Sequence, residues 1–302
     1  MNRTKGEKLV VILANEKLSV TIAKAGAEIH SVMHQETGIE YIWKGDAKFW
    51  GRHTPVLFPI VGKLVDNQFL VNGETYTMTQ HGFARDMEFV CVEQEPTRAV
   101  FCLTSNEETL AKFPFGFELY ITYILEGESV HIDWQVSNPD TDENLYFSIG
   151  AHPAFSTTLM PGDSFEDYYF ELPEVVELQS RDLTADGQLG DTYTSLGRCR
   201  EIPLHYDVFN KDALVFEDLE FESIALRCRN HDHGVNVQFH GFPDLGLWTP
   251  RTNGMEAPFI CIEPWFGHAD TADGPFEISQ KPGIIELNPL KEFNTRYSMI
   301  FY

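Results

Sequence analysis

The stretch Ser129–Ser137 constrains the fold more than any other. Val130, Ile132, Trp134 and Val136 stand in one register, with His131, Asp133 and Gln135 in the other. Successive side chains of a strand point to opposite faces, so a period of two specifies a β-strand with one buried face. Leu18, Val20 and Ile22 repeat the pattern, as do Ile224, Leu226 and Cys228, and then Val235, Val237 and Phe239. Asn72-Gly73 separates two short strand-like runs and predicts a tight hairpin, because Asn and Gly tolerate positive φ. Glu126-Gly127 does the same ahead of Ser129. Helical periodicity is confined to residues 106–113, where Asn106 is placed to cap the first free amides of about two turns. Turn signals recur at short intervals from end to end, with no linker, low-complexity tract or repeat. The expectation is one all-β domain over residues 1–302, built of packed antiparallel sheets.

Composition supports a large core and narrows the partners. Of 302 residues, 43% are hydrophobic and 13% aromatic. The 46 acidic against 22 basic residues give a net charge of −24, which argues against nucleic acid and anionic membrane surfaces as partners. No apolar run approaches the roughly 18 residues of a transmembrane helix, and the opening MNRTKGEKL has no apolar segment of a secretory signal. The five cysteines, Cys91, Cys102, Cys199, Cys228 and Cys261, are widely spaced without a CxxC pair. That pattern fits core thiols in a reducing cytoplasm rather than a disulfide framework or a thiolate metal site.

Familiar motifs fail on inspection. Gly62-Lys63 resembles the end of a phosphate loop, but Leu57 stands where the first glycine is required and Leu64 where a magnesium-binding hydroxyl should be. Gly162-Asp163-Ser164 lies in a Pro-Gly-rich turn and reads as a turn or capping serine. His231, His233 and His240 offer metal-ligand chemistry, yet residues 231–234 read as a solvated polar turn between two strands. Three other segments differ. His81 sits beside a glycine and near Arg85 in a stiffly framed loop. His152 ends a strand, and Pro153 holds it extended. Glu263 closes an apolar strand, where an ionised carboxylate is costly unless paired or facing a cleft. With Trp248, Trp265 and Phe155, these residues have the makings of a sugar site: aromatic faces cover the C–H side of a pyranose, polar groups bond its hydroxyls, and a carboxylate beside a histidine can remove one proton while delivering another.

Five segments in order, Trp50-Gly51-Arg52-His53-Thr54-Pro55-Val56-Leu57-Phe58-Pro59-Ile60-Val61-Gly62-Lys63, His81-Gly82-Phe83-Ala84-Arg85, Gly150-Ala151-His152-Pro153-Ala154-Phe155, Leu245-Gly246-Leu247-Trp248-Thr249 and Cys261-Ile262-Glu263-Pro264-Trp265, resemble the aldose 1-epimerase (galactose mutarotase-like) family, most closely its LacX-like branch. The resemblance implies a single β-supersandwich domain and cofactor-free, metal-free interconversion of sugar anomers on a small-molecule sugar. It implies Glu263 as catalytic base, His152 as acid, His81 as a second active-site histidine and Arg52 as a substrate-binding arginine. An aspartate that holds a sugar hydroxyl in the family falls on Asp207 or Asp212, with Asp212 carried as the candidate beside Trp248 and Trp265. The chain departs from galactose mutarotases in lacking an asparagine-arginine pair at Arg52 and an asparagine-histidine pair at His152, so galactose is not implied.

Three alternatives remain open at this stage. A hexose-6-phosphate mutarotase needs cations at the C6 end of the sugar, and Arg52, Lys63, Arg85, Lys211 and Arg251 are available. A non-catalytic carbohydrate-binding module needs the aromatics alone. A glycoside hydrolase needs two carboxylates, for which Glu263 and Asp270 can be nominated.

Overall fold

In a computed structural model that describes residues 9–251 and 254–302, the alternation at Ser129–Ser137 is a strand with Val130, Ile132, Trp134 and Val136 buried and the intervening side chains partly exposed. It pairs antiparallel with Glu118–Glu126 on one side and Glu292–Phe301 on the other. Leu18–Ala23, Ser223–Cys228 and Val235–Gln238 are strands as expected. Residues 1–8, on which most of the signal-peptide expectation falls, lie outside the described residues.

Among the described residues the strands assemble into a fifteen-stranded sheet, a three-stranded sheet and two two-stranded ribbons. Twist prevents so wide a sheet from staying flat, so it coils around its own apolar face. Leu18, Val20 and Ile22 of the three-stranded sheet share one buried cluster with Ile132, Trp134 and Val136 of the large sheet. The architecture is the expected all-β one of packed antiparallel sheets. No helix among the described residues is long and apolar enough to cross a membrane.

Local signals were read correctly, with small shifts. Asn72 and Gly73 both have positive φ, 52° and 79°, and join Gln68–Val71 to Glu74–Thr77. Glu126 pairs with Ser129, so the second turn is Gly127-Glu128, one residue later than expected. The helix shrinks to a single turn, Glu107–Leu110, although Asn106 caps it by accepting from the Glu108 and Thr109 amides. Pro114 keeps the preceding Phe113 out of the helical region, so the helix cannot run through residue 113.

Trp134 is 2% exposed and packs against Tyr297 and Phe242, with ring centroids 5.2 and 6.0 Å away. Truncation leaves a cavity that neighbouring strands cannot close. Trp134→Ala should therefore lower unfolding stability by about 3–5 kcal/mol in urea titration. A loss below about 1 kcal/mol would mean that this ring is not packed in the core.

Candidate active site

The floor of the site is one face of three adjacent strands. Phe259–Phe266 pairs with Asp244–Trp248, bringing Gly246 opposite Glu263 and Asp244 opposite Trp265. On its other side it pairs with Ile149–Ala151 and Ala154–Ser156 in one continuous antiparallel register, Gly150 opposite Trp265 and Ala154 opposite Cys261. His152 lies in the gap between those short strands and so stands directly across from Glu263. The cross-strand position brings the side chains together: His152 Nε2 lies 3.2 Å from Glu263 Oε2. The next strand but one adds Val215, opposite Gly246. Period-two alternation then lines up Val215, Trp248, Glu263, Trp265 and His152 on the same side of the sheet.

Glycines make room for the large side chains. A Cβ on Gly246 would lie 2.4 Å from the Trp265 ring, and one on Gly150 would lie 2.6 Å from it. The indole therefore sits in a trough between two bare cross-strand positions. Trp50 stacks on the His152 imidazole at 4.8 Å between centroids, while Trp248 and His81 meet it edge-on, both at 5.6 Å.

The second wall comes from loops. His81 adopts φ 67°, and its amide donates to the Gly62 carbonyl (2.9 Å) while the Gly62 amide donates back to His81 Nδ1 (3.1 Å). An Nδ1 that accepts from a backbone amide leaves the proton of a neutral ring on Nε2, making His81 a hydrogen-bond donor. The following Gly82, at φ 70°, passes so close to Phe58 that a Cβ would lie 2.3 Å from its carbonyl oxygen. Arg52 donates through Nη2 to Asp86 Oδ1 (2.8 Å) and through Nη1 to the Arg85 carbonyl (3.5 Å). Arg85 Nη2 donates to the Gln80 carbonyl (2.6 Å), and its buried Nε has no partner among the described residues. The long hairpin Tyr168–Leu183 and Leu189–Pro203 closes the apolar side with Leu183 and Leu189. The resulting cavity is about 370 Å³, at the small end of the usual range for ligand sites.

Burial sets the protonation of the floor. Glu263 is 2% exposed, and desolvation, with the charge of Asp212 added, pushes its carboxyl well above the ordinary range despite the opposing Arg85. Desolvation, with Arg85 and Arg52 opposing a further positive charge, holds His152 down to about 3. His81 is lowered by the same burial and by His152 and the two arginines. Arg85 itself is pushed down to about 10, chiefly by burial and then by Arg52, and stays cationic near neutrality. Burial thus disfavours the charged form of both groups, the opposite of the ionised Glu263 and protonated His152 that the base and acid roles call for.

All seven candidates, His81, His152, Glu263, Arg52, Asp212, Trp248 and Trp265, line this cavity. Asp207 does not; it pairs with Arg251 at 3.1 Å. Of the other cations nominated for a sugar phosphate, Arg85 lines the cavity while Lys211 is tied to Asp182 at 2.9 Å. Asp270 is buried in an ion pair with Lys281 (3.2 Å) outside the cavity, which removes the Glu263–Asp270 pair nominated for a glycosidase. Ser164 Oγ donates to Asp167 (2.7 Å), a capping role. His231 is not the solvated turn residue expected: its ring contacts Asp163 Oδ2 at 3.0 Å, whereas His240 bonds to Glu222 instead. Sequence reasoning passed over Trp50, which stood in the quoted motif beside Arg52, and over the apolar wall of Leu183, Leu189, Ala213 and Val215, whose residues look like ordinary core.

Comparison with known proteins finds relatives that span nearly the whole chain. The profile described as aldose 1-epimerase matches residues 8–283. The plasmid protein LacX of Lactococcus lactis subsp. lactis is 32% identical over 299 residues, covering 96% of this chain and 99% of that protein. A galactose mutarotase related enzyme from Lactobacillus acidophilus superposes with a TM-score of 0.92 at 34% identity over 97% of both chains. A galactose mutarotase-like protein from Lactobacillus casei superposes with a TM-score of 0.91 at 30% identity, covering 97% of this chain and 100% of that one.

Two measurements test the site's construction. Gly246→Ala should displace the Trp265 indole, lower stability by about 1–3 kcal/mol and shift tryptophan emission; unchanged emission and melting would place the ring elsewhere. A carboxyl whose native pKa is raised gives stability that is complete below the ordinary value of 4.5 and lost as pH rises through the native value. Glu263→Gln removes that loss. It should melt a few degrees higher than the native protein at pH 8, and the difference should shrink toward pH 5. An equal difference at both pH values would show that Glu263 is not held neutral.

Proposed function

The chain belongs to the aldose 1-epimerase family, and from that premise and the chemistry of its pocket we propose that it interconverts the α and β anomers of a hexose by acid–base opening of the ring. The observation that carries this reading is the 3.2 Å contact of His152 and Glu263 on the floor of a cavity of about 370 Å³. Carboxyl and imidazole side by side supply the two proton positions that ring opening needs.

The proton balance closes on these two groups. Passing the shared proton from Glu263 to His152 converts the neutral pair to carboxylate and imidazolium without changing the net charge of the pocket. Glu263 takes the proton of the C1 hydroxyl, the C1–O5 bond breaks with its electron pair going to O5, and His152 protonates O5. The aldehyde forms, and the pair is again carboxylic acid and neutral imidazole, the state that burial favours. Rotation about C1–C2 presents the other carbonyl face. Closure runs in reverse: His152 takes the O5 proton as O5 attacks C1, and Glu263 protonates O1. Only the hemiacetal changes, so the reaction calls for no cofactor. His81 donates through Nε2–H, Arg52 and Asp212 bond hydroxyls, and Trp248 and Trp265 cover apolar faces of the sugar.

Free thiols at all five cysteines fit the cytoplasm as the compartment. A second substrate reading, a hexose 6-phosphate, is favoured by Arg52 and Arg85 lining the same cavity.

Polarimetry or NMR exchange on freshly dissolved α-glucose, α-galactose and a hexose 6-phosphate tests both. At least one should equilibrate faster than it does unaided. Glu263→Gln and His152→Asn should each lower that rate by about 10²–10⁴ while sugar binding persists. Binding without acceleration of any sugar would make the protein a carbohydrate-binding module instead.

A further inference from the structure

Behind the arginine wall, the turn before the strand Ile29–His34 places Glu28 against His30 and His53. Glu28 Oε1 accepts from the backbone amides of His53 (2.6 Å) and Thr54 (2.9 Å). Its other oxygen, Oε2, lies 3.6 Å from His30 Nε2, and His53 Nδ1 lies 3.9 Å from Oε1. One donor atom from each of the three residues falls within 4.8 Å of the other two. We propose that Glu28, His30 and His53 form a binding site for a zinc-class divalent cation, separate from the atoms that react in the sugar pocket.

Geometry carries the proposal. Donors bound tetrahedrally at zinc distances of about 2.0–2.2 Å lie roughly 3.3 Å apart. The two carboxylate–imidazole separations need to close by only a few tenths of an ångström. The imidazoles are stacked, 4.0 Å between centroids and 17° between planes, so their lone pairs run side by side and one ring must turn to converge on a shared ion. His30, with 37% of its side chain exposed, is free to turn. His53 is the more confined ligand: 16% of its side chain is exposed, and its ring lies against Gly45, where a Cβ would stand 2.5 Å from Cε1.

Protonation agrees with this. Burial raises the Glu28 carboxyl, but its bonds to His30 and to the His53 amide outweigh it and hold it below the ordinary range, and burial followed by His30 lowers His53; both directions favour the forms that ligate. Two imidazoles with one carboxylate favour late first-row metals over magnesium or calcium. The other two clusters of this kind are occupied otherwise. His152, Cys261 and Glu263 belong to the sugar pocket. In the third, Asp163 Oδ2 already accepts from Tyr168 (2.6 Å) and Met160 (2.8 Å) and contacts His231 (3.0 Å).

The test uses untagged full-length protein, dialysed against chelator and then titrated with Co²⁺ while the visible d–d bands are recorded, with Zn²⁺ equilibrium dialysis alongside. One ion per chain should bind, with Co²⁺ bands displaced by Zn²⁺. His30→Ala and His53→Ala should each weaken binding by more than the ~10–100-fold that losing an outer-shell partner costs, while Asp163→Asn leaves it unchanged. Glu28→Gln is a poorer probe because Glu28 also holds the 53–54 backbone; the two histidine variants keep that support. Absence of stoichiometric binding, binding indifferent to both histidine variants, or binding lost in Asp163→Asn would overturn the proposal.

Discussion

A carboxyl and an imidazole 3.2 Å apart, with 2% and 8% of their side chains exposed, are the contact around which this pocket is arranged. Burial leaves little water beside the pair to stabilise charge, so the protein must either supply counter-charge or favour the neutral groups. It does some of each. Arg85 lies near enough to oppose the rise in the Glu263 carboxyl, but burial and Asp212 prevail. The same arginine helps keep His152 unprotonated. A pair that shares one proton can exchange its acid and base roles by a short transfer, which suits a reaction whose forward and reverse halves are mirror images.

Holding two such groups in contact requires the backbone to be exact on both sides. The ladder between Phe259–Phe266 and the two short strands around His152 keeps one register across the interruption. The Ile262 amide donates to the Pro153 carbonyl at 3.2 Å and carries the ladder through it. Opposite Glu263 on the other flank stands Gly246, so no side chain competes for the space above the carboxyl. Rings then fill what the glycines leave open, Trp265 over Gly150 and Gly246, and Trp50 over His152.

The three-stranded sheet has a part in the same site although it contributes no residue to the cavity lining. Its turn at Gly26 donates to the Met87 carbonyl (2.8 Å), and a Cβ at Gly26 would stand 2.9 Å from the Arg85 carbonyl oxygen. Glu28, two residues on, binds the amides just after Arg52. One turn thus steadies the backbone of both arginines. The arginine wall is a tertiary product of a separate sheet, and a divalent ion on Glu28, His30 and His53 would act on that support rather than on the sugar.

The sequence by itself determined the elements and the chemical types. Alternation at Ser129–Ser137 and at Leu18, Val20 and Ile22 left only strands as a way to bury those side chains, and Asn72-Gly73 and Gly127 marked where the chain turns. Ordered motifs carried Arg52, His81, His152, Trp248, Glu263 and Trp265 to the right region, because each sits at a strand end or glycine loop with a recognisable local pattern. Only the tertiary structure decided which of Asp207 and Asp212 reaches the pocket, that Asp270 is sealed against Lys281, that Trp50 caps the imidazole, and that Glu263 and His152 are buried deeply enough for desolvation to oppose their charged forms. The reason is physical. Periodicity along a chain reports which face a side chain takes, but the partner across a ladder and the depth of burial come from register between distant strands. Proton affinity follows depth of burial, so charge state is a property of the assembled sheet and not of the residue.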